Sequence, residues 1–237
     1  MVPSTSPGQT RRGFLGHLTG AGALLATAGC SEQAIPEKDS GRRPVVMGPA
    51  ETLMRDHGLM SRLLLLYEDS VRRLNSGLDF KPQVVVGTAE IIHTLIESFH
   101  QRLEEVYLFP RFVKSGTMID LIEVLKSQHV AGRRLTKDIL DVDQVRMLDS
   151  DERRKGLAHV MAQYIRMVRP HEAREDSALL PLLRNIVSAH EFEALREEFD
   201  REEREHFGPE GSDRFVGDAA NLEKTVGLYD LASFTPR

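Results

Sequence analysis

The stretch HQRLEEVYLFP at residues 100–110 returns later in the chain as HEAREDSALLP at residues 171–181. In both stretches a glutamate follows the histidine by four residues, and a proline follows that glutamate by six. His57 precedes the first stretch by 43 residues, and His129 precedes the second by 42 residues. A histidine-bearing segment and a His-x3-Glu segment therefore occur twice in the same order, which indicates a duplicated helix hairpin.

Apolar residues around these stretches recur every three, four or seven positions, which is the period of a helix. The pattern predicts four long helices, at 50–76, 83–113, 117–144 and 152–185. Because the connections are short, we expect an all-α, antiparallel, up-down-up-down four-helix bundle over residues 49–186. Two further segments, 188–206 and 213–229, predict one or two extra helices in a C-terminal region, 187–237, with an irregular end from Ser233.

Histidine and glutamate four residues apart lie on one face of a helix, one turn from each other. Counted from the helix ends at about 1.5 Å of rise per residue, the repeated side chains fall within about 3–5 Å of one level in the bundle. Buried polar groups need partners, and metal ions supply them, so the side chains at this level are predicted metal ligands. They are His57, His100, Glu104, His129, His171 and Glu175.

Four imidazoles and two carboxylates suit a pair of metal ions, with two histidines for each ion and the carboxylates as bridges. Iron, manganese and zinc all accept this mixture of nitrogen and oxygen donors, and the set contains no thiolate that would favour copper(I). We expect two iron ions, with manganese or zinc as alternatives.

The stretches 99–110 (FHQRLEEVYLFP) and 169–176 (RPHEARED) resemble the second- and fourth-helix signatures of the hemerythrin-like, or HHE cation-binding, family. The resemblance covers roughly residues 50–185. It implies a non-haem di-iron centre in an antiparallel four-helix bundle that binds O2 or a related small ligand. The ligand set that it implies is His57 and His100 on one iron, His129 and His171 on the other, and Glu104 and Glu175 as bridges.

Two positions depart from the family's pattern. Typical hemerythrins carry a fifth histidine one turn after the third-helix ligand, where this chain has Arg133. They also place the last carboxylate five residues after the final histidine, where Asp176 stands. We favour Glu175 because it repeats the place of Glu104, and Asp176 is the alternative. Without the fifth histidine, both metals retain open positions that admit water, O2, NO or peroxide.

The leading functional prediction is a metal protein that binds O2, NO or peroxide, rather than a dedicated enzyme. A di-iron oxidoreductase, such as an oxidase or peroxidase, is the alternative from another class, although no substrate-pocket motif or electron-donor domain is recognisable. Metal storage or sensing is the third hypothesis. The formal net charge of −5 provides no basic surface for nucleic acid.

Four residues near the predicted ligands are candidates for supporting roles. His93 and Tyr164 each lie one heptad before a ligand histidine, so we expect them to share a layer above the metals. Tyr107, three residues after Glu104, is a candidate hydrogen-bond donor near the metals. Asp176 is a candidate neighbour of the site.

The first thirty residues resemble a twin-arginine export signal, because an adjacent arginine pair precedes a short apolar segment. That segment ends in LATAGC at residues 25–30, which is similar to a lipobox with Cys30 as the lipidated residue. Its Ala-Thr-Ala offers ordinary signal cleavage as the alternative. Residues 31–48 are polar and charged, and they predict a tether. We therefore expect a periplasmic or otherwise extracytoplasmic protein that is anchored to the membrane by lipid.

Overall fold

The computed structural model describes residues 47–141 and 150–236. The predicted export signal at 1–30 and the lipidation site Cys30 lie outside these ranges, as do all but the last two residues of the predicted tether. Those features therefore stay predictions.

Six helices account for most of the described residues, none of which forms a strand. Helix α1 spans Pro49–Asn75, α2 spans 82–115, α3 spans Ile119–Leu140, α4 spans 151–186, α5 spans Ala189–Phe207 and α6 spans Arg214–Val226. The prediction of an all-helical protein with extra C-terminal helices is confirmed. The expected irregular end begins at Thr235 and not at Ser233, because the side chain of Asp230 caps a short 3-10 helix, Leu231–Phe234, by accepting from the N–H of Ala232.

Local sequence explains where several helices begin and end. Helices α1 and α2 start on Pro49 and Pro82, which have no N–H to leave unpaired in the first turn. Ser188 and Glu191 form a reciprocal capping box at the start of α5. Gly116 ends α2 with a φ of 72°, a left-handed conformation that glycine adopts without steric penalty. These signals fix the lengths of the helices that carry the repeated residues.

Helices α2 and α4 are not uniform α-helices. In α2, π-helical segments cover Ile92–His100 and Glu104–Leu108, and in α4 one covers Glu175–Leu179. The second and third of these segments begin at a repeated glutamate and end two residues before a repeated proline. Proline lacks the N–H for the ordinary helical bond, and its ring clashes with the carbonyl four residues earlier. A wider turn before the proline relieves that clash.

The core that positions the site lies among the first four helices. Helix α1 packs along α4 and contacts α2, and α3 packs against α2 and α4. The largest fully buried side chains in this core are Tyr67, Tyr164, Phe99, Phe109 and Phe112. Rings of this size supply much of the hydrophobic stabilisation of a core, at roughly 25 cal/mol per Å² of apolar surface buried.

The C-terminal extension, residues 187–236, packs on α1 and α2. Helices α5 and α6 both contact α1, and α6 also contacts α2. Phe207 at the end of α5 meets Phe99 of α2 edge-on, with ring centroids 4.9 Å apart. Arg62 of α1 donates two hydrogen bonds, of 2.8 and 2.6 Å, to the carboxylate of Glu223 in α6. None of the described helices is long and apolar enough to cross a membrane.

Candidate metal centre

The structure brings the six predicted ligands together in two groups. One group is His57, His100 and Glu104, and the other is His129, His171 and Glu175. Within each group, one ligand atom from every residue lies within 4.8 Å of the other two. The first group comes from α1 and α2 and the second from α3 and α4, so each copy of the repeated hairpin supplies one group.

In the first group the two imidazoles face each other. Nε2 of His57 is 3.1 Å from Nε2 of His100, and the latter atom is 3.4 Å from Oε1 of Glu104. Donor atoms bound to one metal at about 2.1 Å lie roughly 3.0–3.4 Å apart. The three side chains therefore already have the spacing of ligands to a single ion.

The second group is built in the same way. The ring centroids of His129 and His171 are 5.0 Å apart, and Nε2 of His171 is 3.2 Å from Oε2 of Glu175. The ring of Phe109 stacks on that of His129 with a centroid distance of 5.7 Å and an interplanar angle of 22°. This stacking holds the plane of the His129 ring.

The two glutamates connect the groups. Oε2 of Glu104 is 3.4 Å from Nε2 of His129, and Oε2 of Glu175 is 3.4 Å from Nε2 of His57. Both glutamates are 0% exposed, and none of their four carboxylate oxygens has a hydrogen-bond partner among the described residues. A buried carboxylate without a partner is destabilising by several kcal/mol. These donors therefore fit two cations that share bridging carboxylates.

Each of the four predicted ligand histidines uses its other ring nitrogen, Nδ1, to donate to a neighbouring side chain. The donor–acceptor pairs are His57–Asp176 at 2.7 Å, His100–Asp56 at 3.3 Å, His129–Glu105 at 2.8 Å and His171–Gln128 at 2.9 Å. Donation from Nδ1 fixes the tautomer and orients the ring, so the lone pair of Nε2 faces the centre.

These four acceptors follow the same repeat as the ligands. Asp56 and Gln128 each directly precede a ligand histidine, and Glu105 and Asp176 each directly follow a ligand glutamate. Successive residues of a helix point about 100° apart. When a ligand faces the core, its sequence neighbour consequently faces the adjacent helix and reaches the histidine there. Sequence reasoning missed Asp56, Glu105 and Gln128, although the internal repeat was the signal that could have identified them.

Arg133, at the position of the absent fifth histidine, supports the centre from outside. Its guanidinium donates to Glu105 and, at 3.2 Å, to Oε1 of Gln101. Because Glu105 is also the acceptor for His129, the arginine helps to hold the carboxylate that orients this ligand.

The pKa values of several residues in the two groups are shifted by burial and by neighbouring charges. Burial lowers the pKa of His57, but contacts with Asp176 and Glu175 outweigh it and raise the pKa to about 9. Burial also acts to lower the pKa of His100, and the nearby carboxylates, chiefly Glu104, raise it well above its ordinary value. For Glu175, burial raises the pKa, but contacts with two ligand histidines leave the pKa lowered overall. Protons on His57 and His100 therefore balance the negative charge of the carboxylates around them in the metal-free protein.

A small cavity lies between the predicted ligands, five of which line it: His57, His100, Glu104, His129 and His171. Its apolar lining includes Met60, Ile96 and Val168, and Tyr164 and Glu172 also border it. Its volume for water-sized occupants is about 20 Å³, which is room for about one water or a molecule of similar size. Burial is the largest cause that raises the pKa of Glu172, to about 7. The cavity is therefore the space that a metal ion would enter.

Two candidates for supporting roles lie at the centre. Tyr164 is 1% exposed and borders the cavity, and its ring meets that of Tyr67 edge-on at 6.0 Å. Asp176 does not join the ligand group but accepts from His57, so Glu175 occupies the inner position and Asp176 the outer one.

The other two candidates point elsewhere. The side chain of His93 is 60% exposed and contacts Glu97 at 3.3 Å, so the expected layer shared with Tyr164 is wrong. Heptad spacing assumes an α-helix, whereas α2 is π-helical from Ile92 to His100, and its wider turn rotates His93 outward. Tyr107 lies in the next π segment, and its hydroxyl donates to Glu202 of α5 instead of reaching the centre.

Sequence comparison identifies the family. The sequence model described as Hemerythrin HHE cation binding domain matches residues 48–183. Uncharacterised proteins of Mycobacterium bovis and of two Mycobacterium tuberculosis strains are 38% identical to the chain over 232 residues, which is 95% of this chain and 91% of each relative. No solved structure matches the chain significantly. The chain therefore belongs to the hemerythrin HHE cation-binding domain family, and the resemblance over residues 50–185 is confirmed.

Proposed function

We propose that this member of the hemerythrin HHE cation-binding domain family holds a di-iron centre that binds O2, NO or peroxide. The observation that carries the proposal is the placement of Glu104 and Glu175. Their buried oxygens face imidazole nitrogens from both groups and have no hydrogen-bond partner among the described residues. Two cations at this place would supply the missing partners.

In this assignment each hairpin holds one iron through its two histidines. His57 and His100 bind the first ion, His129 and His171 bind the second, and the two glutamates lie between them. Bound iron supplies coordination positions for a small ligand, because four imidazoles and two carboxylates do not fill two iron coordination spheres. The protein orients its donors through the four Nδ1 hydrogen bonds.

The cavity supports a small ligand over an organic substrate. Its volume of about 20 Å³ is too small for a metabolite, whereas ligand pockets for drug-sized molecules measure about 300–1,000 Å³. Met60, Ile96 and Val168 give it an apolar lining next to the histidines. The size of the cavity favours O2 or a molecule of similar size over an organic substrate.

We also infer that the first four helices form an antiparallel, up-down-up-down bundle. Three contacts along α1 and α4 support opposite directions for these two helices. His57 near the start of α1 meets Asp176, Glu68 meets Arg169 at 2.8 Å, and beyond the end of α1 the carbonyl of Leu78 accepts from Arg154 at 3.1 Å.

Export and anchoring are a separate proposal, supported by the arginine pair and by Cys30. The protein is exported by the twin-arginine route and anchored through lipid on Cys30. Fractionation of cells that express the wild type and C30S tests the lipid anchor. We expect the wild type in the membrane fraction and C30S released from it, and equal distribution of the two proteins would contradict lipidation.

Metal analysis and optical spectroscopy of iron-replete protein test the central proposal. We expect about two equivalents of iron per chain, as in other two-metal sites, and a reversible change in the spectrum on exposure to O2 or NO. H100A and H171A should each lose iron, whereas H190A, which changes an exposed histidine of α5, should retain it.

Two outcomes decide against the proposal. Less than about one equivalent of any transition metal in the wild type would show that the protein does not form the proposed centre. Steady turnover of peroxide with a reductant, without a reversible O2 or NO spectrum, would favour the di-iron oxidoreductase instead.

A further inference from the structure

We propose that Arg55 and Ser212 are positioning residues for the metal centre, and that they act through Asp56 on the ligand His100. The inference rests on the proposed metal-binding function. The C-terminal extension lies beyond the family domain at residues 48–183. In this inference it helps to position a metal ligand.

The inner half of this connection is buried beneath His100. Asp56 is 2% exposed, and its Oδ2 accepts from Nδ1 of His100 at 3.3 Å. Its other oxygen, Oδ1, accepts from Nε and Nη2 of Arg55 at 3.2 and 3.1 Å. One carboxylate therefore joins the ligand histidine to a guanidinium, and both of its oxygens are engaged.

The outer half of the connection belongs to the extension. Nη2 of Arg55 donates to Oγ of Ser212 at 2.6 Å and lies 3.5 Å from Oε1 of Glu203. Ser212 is 3% exposed and stands between α5 and α6. Its N–H and hydroxyl both donate to Oε1 of Glu203, at 2.9 and 2.5 Å. These bonds fix the position of the hydroxyl that receives the arginine.

The backbone at this point is closely fitted. Gly211 has a φ of 61°, and a Cβ built there would lie 3.0 Å from Oε1 of Glu203. Glycine meets both requirements, because it adopts a left-handed conformation without penalty and has no Cβ to collide with the carboxylate. The connection between α5 and α6 thus presents Ser212 to Arg55 in one defined arrangement.

The two hairpins differ in this respect. The acceptors for the other three ligand histidines, Asp176, Glu105 and Gln128, all come from the first four helices. At the place in the second hairpin that corresponds to Arg55, the chain has an exposed serine, Ser127. The extension therefore supports the first ion, through His100, and not the second.

The physical consequence concerns the basicity and orientation of His100. A carboxylate that accepts from Nδ1 orients the ring and strengthens Nε2 as a metal donor, and loss of such a partner weakens metal affinity by about 10- to 100-fold. Arg55 keeps Asp56 in place and offsets its charge, since the planar guanidinium donates to the carboxylate and the serine at once.

Cobalt(II) loading of the full-length protein tests the inference. The variants are R55M and S212A, and the matched control is R62M, which also removes an arginine of α1 that bonds to the extension but has no contact with Asp56. The readouts are the rate of Co(II) release into a chelator and the visible ligand-field spectrum. We expect R55M to release one of the two ions faster, by up to about 10-fold because Asp56 itself remains, with a shift in that ion's bands. S212A should shift in the same direction by less, and R62M should match the wild type.

Several results would overturn the inference. The first is wild-type Co(II) release and spectra in R55M. The second is an equal change in R55M and R62M, and the third is equally faster release of both ions, because either would indicate a general destabilisation of the protein. S212A keeps the test informative should R55M fold poorly, and wild-type release and spectra in S212A would then overturn it. A wild type that binds no Co(II) would overturn the proposed function and this inference together, whereas a loaded wild type with unchanged variants would overturn this inference alone.

Discussion

The acceptor at Nδ1 distinguishes the ligand histidines from one another. Three of them donate to carboxylates, whereas His171 donates to the neutral amide of Gln128. A carboxylate makes the imidazole a stronger donor than an amide does, because it favours positive charge on the ring. Of the two proposed ions, the one assigned to His171 should therefore be the more weakly bound.

Substitution of Gln128 tests this difference. We expect Q128L to weaken binding of one ion by about 10- to 100-fold, because Nδ1 of His171 loses its acceptor. Q128E should tighten binding of the same ion, because it completes a carboxylate–histidine pair. Affinities measured by chelator competition check both directions. S127E, which adds the same charge at an exposed neighbour, is the control, and equal tightening in S127E and Q128E would attribute the effect to charge alone.

Protonation of His57 provides a second prediction, for the metal-free protein. The folded pKa of about 9 exceeds the ordinary value of about 6.5. Protonated His57 therefore stabilises the fold fully below about pH 6.5, and this stabilisation is lost as the pH rises through about 9. The difference corresponds to about 3 kcal/mol, with the interaction between His57 and Glu175 counted once.

Urea unfolding of the metal-free protein between pH 6 and pH 10 measures this loss. The free energy of unfolding should fall over that interval in the wild type and fall by less in H57Q, in which His100 alone keeps its raised pKa. The iron-loaded wild type should also lack the decline, because the cation replaces the proton on the ligand nitrogen. A metal-free wild type with constant stability across the interval would contradict the prediction.

At the scale of elements, the helices could be predicted from the sequence but their internal geometry could not. Apolar periodicity and helix ends located all six helices to within a few residues. The π segments escaped this reasoning, because the period of an α-helix was assumed throughout. The error left the His-x3-Glu spacing intact, since residues 101–103 between His100 and Glu104 are α-helical. It did affect the predicted orientations of His93 and Tyr107, which lie in the π segments before and after these residues.

The prolines offer a test of the π segments that begin at Glu104 and Glu175, the proposed bridging residues. Replacing Pro110 by alanine restores an N–H and removes the ring clash, so the preceding turn can tighten to an α-helix. That change would move Glu104, and metal affinity should fall by about tenfold or more while the metal-free protein keeps its stability. P82A, at the first turn of the same helix, should leave affinity unchanged. Equal affinity in P110A and P82A would show that the proline does not position the glutamate.

At the scale of the whole molecule, the internal repeat made the centre predictable, whereas the contacts of the extension, which has no repeat, could not be predicted. Duplication placed both ligand groups, because one arrangement of side chains occurs twice. The contacts of the extension join single residues far apart in sequence, such as Arg55 with Ser212 and Arg62 with Glu223. No periodicity marks such pairs, and an arginine on a helix surface is most often solvated.

Metal removal should lower the stability of the molecule as a whole, because the proposed ligands come from all four helices of the bundle. A cation whose free concentration is about 100 times its dissociation constant raises the free energy of unfolding by about 2.7 kcal/mol, so two cations raise it by about 5 kcal/mol. At about 2–4 °C per kcal/mol for a domain of this size, removal of iron by a chelator should lower Tm by about 10–20 °C. H100A, which keeps the second group intact, should show a smaller difference between loaded and metal-free forms. Scanning calorimetry with and without iron measures both values, and equal Tm values for the wild type would mean that cations do not bind preferentially to the folded state.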